Sequence, residues 1–341
     1  MKKMLALLLI LALSLSLVGC GGTTAQSGSA SAPASSAPSE TASSGEGETE
    51  SSGDKGEKPV IGCTVYYMTE FVTLMVEGIK AEAAERGAEL VLLDANNDAQ
   101  RQISQVENLI AQQVDVLLVA AVDSDAIVPA LDLAEEAGIP LVGLNMLINT
   151  DKEYYYSGPD DVQAGELEMQ YVMDQIGGKG NILIIEGPIG QSAQVQRLEG
   201  NMNVLTKYPD VKVLAQQTAN WSREEALALT ENWLQAFEGQ VDGIVAHNDE
   251  MALGAIQALE AKGLSDIPVS GVDAIKDGCM AIMDGRFDAT VFQDAEEEGR
   301  LGVRICMDIL EGNPPTEYLN FIDMKLITKE NAQELLDTVY A

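Results

Sequence analysis

The sequence has little of what catalytic and nucleic-acid-binding proteins commonly need. Its 341 residues include one histidine, 20 lysines and arginines, and 5% aromatic residues. The single imidazole, His247, excludes metal sites built from several histidines and leaves one histidine for acid–base chemistry. The 54 aspartates and glutamates give a net charge of −34, and no basic stripe offsets it. Because such a surface repels phosphate backbones, nucleic acid is excluded as a partner.

Cysteine is also scarce, with four in the chain and no Cys-x-x-Cys pair. This argues against a zinc cluster or a redox-active pair. One of the four, Cys20, belongs to the N-terminal segment. The other three, Cys63, Cys279 and Cys306, are an odd number, which favours buried free thiols over a framework of disulfides.

The N-terminus has the features of an export signal. Two lysines precede an apolar run from Met4 to about Val18, which is short for a membrane-spanning helix. The junction Leu-Val-Gly-Cys that ends at Cys20 resembles the lipobox of bacterial lipoproteins, and this resemblance implies cleavage before Cys20 and its lipidation. The alternative is an ordinary cleaved signal with an incidental cysteine. We therefore predict a signal peptide over residues 1–19 and a lipid anchor at Cys20.

The composition of residues 20–58 predicts a tether that follows this anchor in the sequence. They are rich in Ser, Gly, Ala, Thr, Pro and Glu, with no aromatic residue and almost no branched aliphatic one. Such a segment cannot bury enough apolar surface to offset its conformational entropy, so disorder is expected.

From Pro59 onwards, short apolar runs alternate with helical stretches. The pattern predicts a strand over 60–66, a helix over 71–86 ended by Gly87, and a strand over 89–94. The same alternation follows over 114–144, with a helix expected at 126–137. Strands spaced by helices in this way predict βαβ units and a parallel sheet with helices on both faces.

An internal repeat indicates two similar lobes. The segments that start at Gln113 and Gln240 both begin Gln-Val-Asp and continue as strand, polar loop and alanine-rich helix. Both end Ile-Pro-x-x-Gly-x-Asn/Asp, which makes Asn145 and Asp273 equivalent strand ends. The fold class predicted is therefore α/β, with two similar doubly wound parallel-sheet lobes.

The equivalent strand ends predict a cleft with polar walls. In open α/β sheets, ligands bind beyond the carboxyl ends of the strands. Taken singly, Asn248 or Asp273 could equally be a helix N-cap or part of an Asx-turn. Their occurrence at matching positions of two lobes favours a binding site between the lobes.

Short motifs resemble those of the type I periplasmic sugar-binding proteins, closest to the ribose-binding group, across about residues 59–327. The soluble sugar-responsive repressors share this fold but begin with a DNA-binding helix-turn-helix, where this chain has an export signal and an acidic tether. The matching motifs are His-Asn-Asp-Glu-Met-Ala-Leu-Gly-Ala at 247–255, Val-Ser-Gly-Val-Asp at 269–273, Arg-Leu-Glu-Gly at 197–200, Asn-Trp-Ser at 220–222 and Val-Phe-Gln at 291–293.

The resemblance implies a hinge of three crossings between the lobes, near 157–159, 293–294 and 321–323. The predicted boundaries are therefore discontinuous. The N-terminal lobe comprises 59–158 plus 294–322, and the C-terminal lobe comprises 159–293 plus 323–341.

Carried over residue by residue, the family's ligand-binding positions fall on Arg197, Trp221, Asn248, Asp273 and Gln293. A carboxylate accepts hydrogen bonds from sugar hydroxyls, a guanidinium donates them, and side-chain amides do either. The indole of Trp221 would stack on the apolar face of a sugar ring. Alternatively, this tryptophan only packs on the helix that begins at the Ser-x-x-Glu capping box that follows it.

Three residues of the first lobe complete the predicted site: Tyr66, Phe71 and Asn145. Phe71 could also be ordinary core at the start of a helix. At Asn145-Met146 the ribose-type proteins generally have Asp-Arg, so this chain lacks a strong acceptor and several donors there. Ribose is therefore in doubt, and another pentose, a hexose, a cyclitol or a furanose-like molecule is equally admissible.

The resemblance implies a binding protein rather than an enzyme, without metal or cofactor. The protein would be a monomer, lipid-anchored on the outer face of the bacterial cytoplasmic membrane, that closes around a small sugar or polyol. It would deliver this ligand to the permease of an ABC transporter, since the chain has no P-loop of its own. The alternatives are a sensing subunit for a membrane kinase or chemoreceptor and, less favoured, a secreted hydrolase using Asp273 with Asp249, Glu250 or His247.

Overall fold

The computed structural model of the protein describes residues 58–340. The predicted signal peptide, the lipidation of Cys20 and the tether fall outside the described residues. The rest of this section concerns the described part of the chain.

Ten helices and twelve strands alternate along residues 58–340. The strands are β1 (Val60–Val65), β2 (Glu89–Asp94), β3 (Val116–Val119), β4 (Leu141–Leu144), β5 (Tyr155–Pro159), β6 (Gly180–Glu186), β7 (Val211–Thr218), β8 (Gly243–Ala246), β9 (Val269–Asp273), β10 (Ala289–Phe292), β11 (Leu319–Ile322) and β12 (Lys325–Ile327). The helices are α1 (Glu70–Arg86), α2 (Ala99–Ala111), α3 (Val128–Ala137), α4 (Asp161–Gln175), α5 (Ser192–Leu205), α6 (Arg223–Ala236), α7 (Asp249–Lys262), α8 (Lys276–Met283), α9 (Ala295–Leu310) and α10 (Ala332–Thr338).

The strands form two six-stranded sheets of matching design. The first has the order β11-β5-β4-β3-β1-β2 and the second the order β12-β10-β9-β8-β6-β7. Neighbouring strands run parallel, except that β12 pairs antiparallel with β10. The central strands β3 and β8 are buried along their whole length, as is typical of parallel sheets covered on both faces. The predicted fold class, two parallel α/β lobes, is confirmed.

The chain passes between the two sheets three times. It leaves the first sheet after β5, returns after β10 as α9, which packs on β3, β4 and β5, and leaves again between β11 and β12. We call the part built on the first sheet the first lobe and the other part the second lobe. β5 extends to Pro159, just beyond the boundary expected at 158. The exact division into lobes stays a prediction.

Local sequence signals define most of the helix ends. Thr69, Asp98, Asp160 and Ser222 each accept a hydrogen bond from a backbone N–H in the first turn of the following helix. Gly87 ends α1 in the left-handed conformation, as its position predicts. The helix expected over 126–137 begins only at Val128, because the preceding residues form a turn.

Helices pair at close range where glycine faces a backbone carbonyl. In α4, a Cβ on Gly165 would overlap the carbonyl oxygen of Arg197 in α5, and in α5 one on Gly200 would overlap that of Val162. α1 and α9 show the same reciprocal arrangement, with Gly299 lying against the carbonyl of Met75. Because glycine has only a hydrogen atom in place of a side chain, the backbones of these helices can approach this closely.

Two further features concern the residues that the structure describes. None of their helices combines the length and apolar character needed to cross a bilayer. Cys63, Cys279 and Cys306 are buried free thiols, which confirms the prediction from their odd number.

Candidate ligand-binding site

The side chains predicted to bind ligand surround one cavity between the two lobes. The empty space among the lining residues amounts to about 320 Å³, open solvent included. Thr69, Met146 and Ala193 also line it. The predicted residues that line it are Tyr66, Phe71 and Asn145 of the first lobe, Arg197, Trp221, Asn248 and Asp273 of the second lobe, and Gln293 at the second crossing.

The cavity lies at the carboxyl ends of the parallel strands, where the fold places ligand sites. Asn145 directly follows β4, Asn248 lies just beyond β8, and Asp273 ends β9. The backbones of Asn145, Trp221 and Asp273 have positive φ values of 58°, 59° and 112°. Non-glycine residues in this region are uncommon and cluster at functional sites. The turns that end the strands thus direct these side chains into the cavity.

Arg197 is the centre of the second-lobe wall. It is 4% exposed, and its Nε donates to Asp161 Oδ1 at 2.8 Å. Its terminal nitrogens donate to the carbonyl oxygen of His247 and, at 2.9 Å, to Gln293 Oε1. Burial opposes the charge of the guanidinium, yet the carboxylates of Asp161 and Asp273 keep the pKa of Arg197 above its ordinary value. The arginine is therefore charged and held in one orientation.

Asp273 is the acceptor placed opposite Arg197. Its Oδ1 lies 3.9 Å from a terminal nitrogen of the arginine. Burial raises the pKa of Asp273 to about 7, although Arg197 acts in the other direction. Its carboxyl group thus changes its charge near neutral pH.

Trp221 both packs and lines the cavity. Its ring lies against Gly187, where a Cβ would overlap it, and its indole N–H donates to Gln191 Oε1 at 2.6 Å. The guanidinium carbon of Arg197 lies 5.6 Å from the ring centre, within range of a cation–π interaction. Ser222 caps α6 by accepting from the backbone N–H of Glu225. The local packing role and the position in the cavity are therefore compatible.

A hydrogen-bonded chain forms the wall on the first lobe. The hydroxyl of Tyr66 donates to Asn145 Oδ1 at 3.2 Å, and Asn145 Nδ2 donates to Glu298 Oε2 at 2.9 Å. Gln293 Nε2 donates to the other oxygen of Glu298 at 2.7 Å. Because Gln293 also accepts from Arg197, the chain connects the walls of both lobes.

Of the residues of the hydrolase alternative, Asp273 lines the cavity, whereas His247, Asp249 and Glu250 do not. The imidazole of His247 lies outside the cavity lining, with its Nε2 3.2 Å from Asn201 Oδ1. Burial and the charge of Arg197 lower the pKa of His247 to about 3, so its ring is neutral. Asp249 Oδ2 accepts from the backbone N–H of Ile275 at 3.0 Å, behind the cavity wall.

The two lobes touch at the mouth of the cavity. The backbone N–H of Ser124 donates to the carbonyl of Gly190 at 2.9 Å. The backbone N–H of Leu147 donates to Ser192 Oγ at 2.8 Å. These contacts join the first lobe to the second, so the described arrangement is a closed one.

Comparison with known proteins identifies the architecture. A family model described as a periplasmic binding protein domain matches residues 61–314. The chain belongs to this family. Membership places the protein in the extracytoplasmic compartment.

Individual members of the periplasmic binding protein family match over most of the chain. The xylitol-binding protein of Mycolicibacterium smegmatis is 42% identical over 279 residues, which cover 82% of this chain and 80% of that protein. The ribose import binding protein of Bacillus subtilis is 36% identical, over 77% of this chain and 85% of that protein.

A solved structure from the same family shares the fold. It is an ABC transporter solute binding protein from Bacillus halodurans C-125 with bound myo-inositol, at 37% identity and a TM-score of 0.78. The match covers 83% of this chain and 98% of that one. The predicted kinship with sugar-binding components of ABC importers is confirmed, and these relatives are binding proteins rather than enzymes.

Sequence reasoning missed the residues behind the cavity wall. Asp161, Glu298 and Tyr156 lie beneath the lining and hold Arg197, Asn145 and Gln293 in place. No local pattern identifies Asp161 or Glu298, since Asp161 bonds to a residue 36 positions away and Glu298 to one 153 positions away. Thr69 had a detectable signal, because it precedes an apolar helix as an N-cap.

Proposed function

We propose that the protein captures a small uncharged polyol between its two lobes and passes it to the permease of an ABC transporter. The observation that carries this proposal is one closed cavity lined by eight polar and aromatic side chains predicted to bind a sugar. The protein acts by binding alone, as a monomer that needs no metal or cofactor.

The chemistry of the cavity supports a polyol. Asp273 accepts hydrogen bonds, Arg197 donates them, and Asn248 and Gln293 can do either, which suits hydroxyl groups. The buried guanidinium is already paired with the carboxylate of Asp161, so an anionic ligand is not needed to balance its charge. The empty space among the lining residues is about 320 Å³ even with open solvent included, which leaves no room for an oligosaccharide.

The ligand that we favour is an acyclic polyol or a cyclitol. Asn145 and Met146 line the cavity, at the two positions where the resemblance to ribose-type proteins implies aspartate and arginine. The relatives named above for xylitol and for bound myo-inositol are 42% and 37% identical to this chain. Ribose is the comparison ligand against which this preference is measured.

Calorimetry on the purified protein tests the proposal. Xylitol, myo-inositol and ribose are titrated into the unaltered protein, into Trp221→Ala and into Asp273→Ala. Each substitution is expected to weaken binding of the preferred ligand by more than tenfold, since each removes a buried contact. Asp284→Ala, at an exposed aspartate of the same lobe, is the control. An unchanged dissociation constant in both cavity variants would contradict the site.

The anchor belongs to the same proposal. We propose that Cys20 is lipidated after removal of residues 1–19 and that it holds the protein on the outer face of the cytoplasmic membrane. The Leu-Val-Gly-Cys junction supports this. Cys20→Ser should release the protein from the membrane fraction of the expressing cells. Retention of this variant in the membrane fraction would contradict lipidation.

A further inference from the structure

Glu298 is a buried acid behind the cavity wall that the function above does not use. It lies in the first turn of α9, is fully buried, and does not line the cavity. Its two oxygens accept from two different lining residues, Asn145 Nδ2 at 2.9 Å and Gln293 Nε2 at 2.7 Å. One carboxyl group thus contacts lining amides from two separate segments of the chain.

This contact fixes which way both amides face. Both oxygens of Glu298 accept from amide nitrogens, so these nitrogens point towards it. Above the pKa of Glu298, about 8, the carboxylate has no proton to donate and both amides are held in this orientation. The amide oxygens then accept from the hydroxyl of Tyr66 and from Arg197. Each amide keeps one N–H and one oxygen lone pair for a ligand, in positions that Glu298 determines.

A purely stabilising role does not account for an acid at this position. Burial raises the pKa of Glu298 to about 8, against the effect of the hydrogen bonds from Gln293 and Asn145. Ionising the group inside the folded protein is therefore costly. A neutral side chain of similar volume would cost less, so the acid is better explained by the orientation that it imposes.

We propose that Glu298 is a positioning residue that selects among polyols by setting the donor and acceptor pattern that Asn145 and Gln293 present to the ligand. The inference rests on the proposed function. Its consequence is that loss of the acid changes the order of ligand preference and does not merely weaken binding.

The first test is Glu298→Gln, assayed by calorimetry at pH 9, where the native carboxyl is ionised. The glutamine carries an amide nitrogen in place of one carboxylate oxygen. This nitrogen faces the amide nitrogen of either Asn145 or Gln293, so that amide must flip to present its oxygen instead. The ligands are xylitol, myo-inositol and ribose. We expect the preferred ligand to bind more than tenfold more weakly, and the ratio of its affinity to that of each of the other two ligands to change at least fivefold. Thermal unfolding of the unliganded protein should occur at an unchanged or higher temperature.

Two matched variants accompany this test. Glu297→Gln makes the same chemical change at the next residue, whose carboxylate is half exposed and pairs with Arg304, and it should keep both affinity and preference. The double variant Glu298→Gln with Asn145→Asp restores a donor facing an acceptor across the pair. It also replaces the amide that faces the ligand with a carboxylate, so its order of ligand preference should differ both from that of the unaltered protein and from that of Glu298→Gln.

A third variant tests the inference if Glu298→Gln folds poorly. Glu298→Asp keeps the carboxylate but shortens its reach, so it holds at most one amide and should shift the same ligand preference to a smaller extent. Equal weakening of all three polyols by either variant, with no change in their order, would overturn the inference and leave the proposed function intact. Failure of the unaltered protein to bind any of them would overturn the proposed function and the inference with it.

Discussion

At the scale of single residues, the cavity combines one permanent charge with one that changes near neutral pH. Arg197 stays protonated because Asp161 and Asp273 surround it. Burial raises the pKa of Asp273 to about 7, so in the empty protein this carboxyl group is partly protonated at neutral pH. Ligand hydroxyls that donate to the carboxylate favour its ionised form.

Ligand affinity should therefore rise with pH. With a pKa of about 7, about a tenth of Asp273 is ionised at pH 6 and about nine tenths at pH 8, so the association constant should increase about tenfold between them. Calorimetry at both pH values measures this. Asp273→Asn should bind more weakly at pH 8 and lose the part of the dependence that lies near pH 7, whereas the part due to Glu298, with a pKa of about 8, remains in both proteins. A variant with the same pH profile as the unaltered protein would show that another group titrates.

Single residues also differ in whether their place in the site can be predicted from the sequence. Asn248 could be read as a helix cap or as a ligand-binding residue, and its position serves both, since its Oδ1 accepts from the backbone N–H of Met251 at 3.0 Å while the side chain lines the cavity. Such strand-end residues carry a local pattern. Glu298 carries none, because its partner Asn145 lies 153 residues earlier.

At the scale of elements, the position of Arg197 depends on how closely α4 and α5 approach. Gly165 of α4 lies directly against the backbone carbonyl of Arg197, and Gly200 lies against that of Val162. Any side chain larger than hydrogen at these points separates the helices. The distance between two helices is thereby linked to the geometry of the cavity.

Gly165→Ala should reduce both stability and affinity. The added methyl group overlaps a backbone atom, so overpacking should lower the free energy of unfolding by about 1–3 kcal/mol. Displacement of Arg197 should also weaken ligand binding. Thermal unfolding and calorimetry measure the two effects. Gln163→Ala introduces alanine at an exposed position of the same helix and should change neither, and normal binding by Gly165→Ala would disprove the link.

Element prediction from the sequence succeeded where the signal was local. The glycine that ends α1 and the alternation of strands and helices were predicted from the sequence. The start of α3 was placed too early because Asp123, and not a cap next to the helix, accepts from the backbone N–H of Ala126. The antiparallel direction of β12 depends on the path of the chain through the crossings. The three residues of this strand carry no sequence pattern that predicts its direction.

At the scale of the whole molecule, closure brings the two walls of the cavity together. The bonds from Ser124 to Gly190 and from Leu147 to Ser192 connect the lobes, and none of these four residues lines the cavity. They stabilise the closed arrangement independently of ligand. A ligand that contacts both lobes adds to this preference, which is how binding shifts the population.

Ser192→Ala should therefore weaken ligand binding from outside the cavity. It removes the acceptor of the Leu147 N–H, and one lost hydrogen bond of about 0.5–1.5 kcal/mol corresponds to a loss of affinity of about threefold to tenfold. Small-angle scattering of the unliganded variant should show a larger radius of gyration than that of the unaltered protein. Glu199→Ala, on the exposed side of the same helix, is the control. Equal affinity of the two variants would show that this contact does not favour closure.

The two-lobed architecture was visible in the sequence because the internal repeat preserves the strand, helix and glycine pattern of both halves. The relative placement of the lobes could not be predicted from the sequence, since it depends on three crossings and on contacts such as that between Ser124 and Gly190.

The position of Trp221 gives the protein an optical reporter of its own. The chain contains two tryptophans; one lines the cavity beside Arg197, and the other, Trp233, is buried in α6 and does not line it. A ligand that stacks on the first indole changes its surroundings and leaves the second as a constant background. Replacement of Trp233 by phenylalanine would leave Trp221 as the single tryptophan, so that tryptophan fluorescence follows ligand capture in real time without an attached dye.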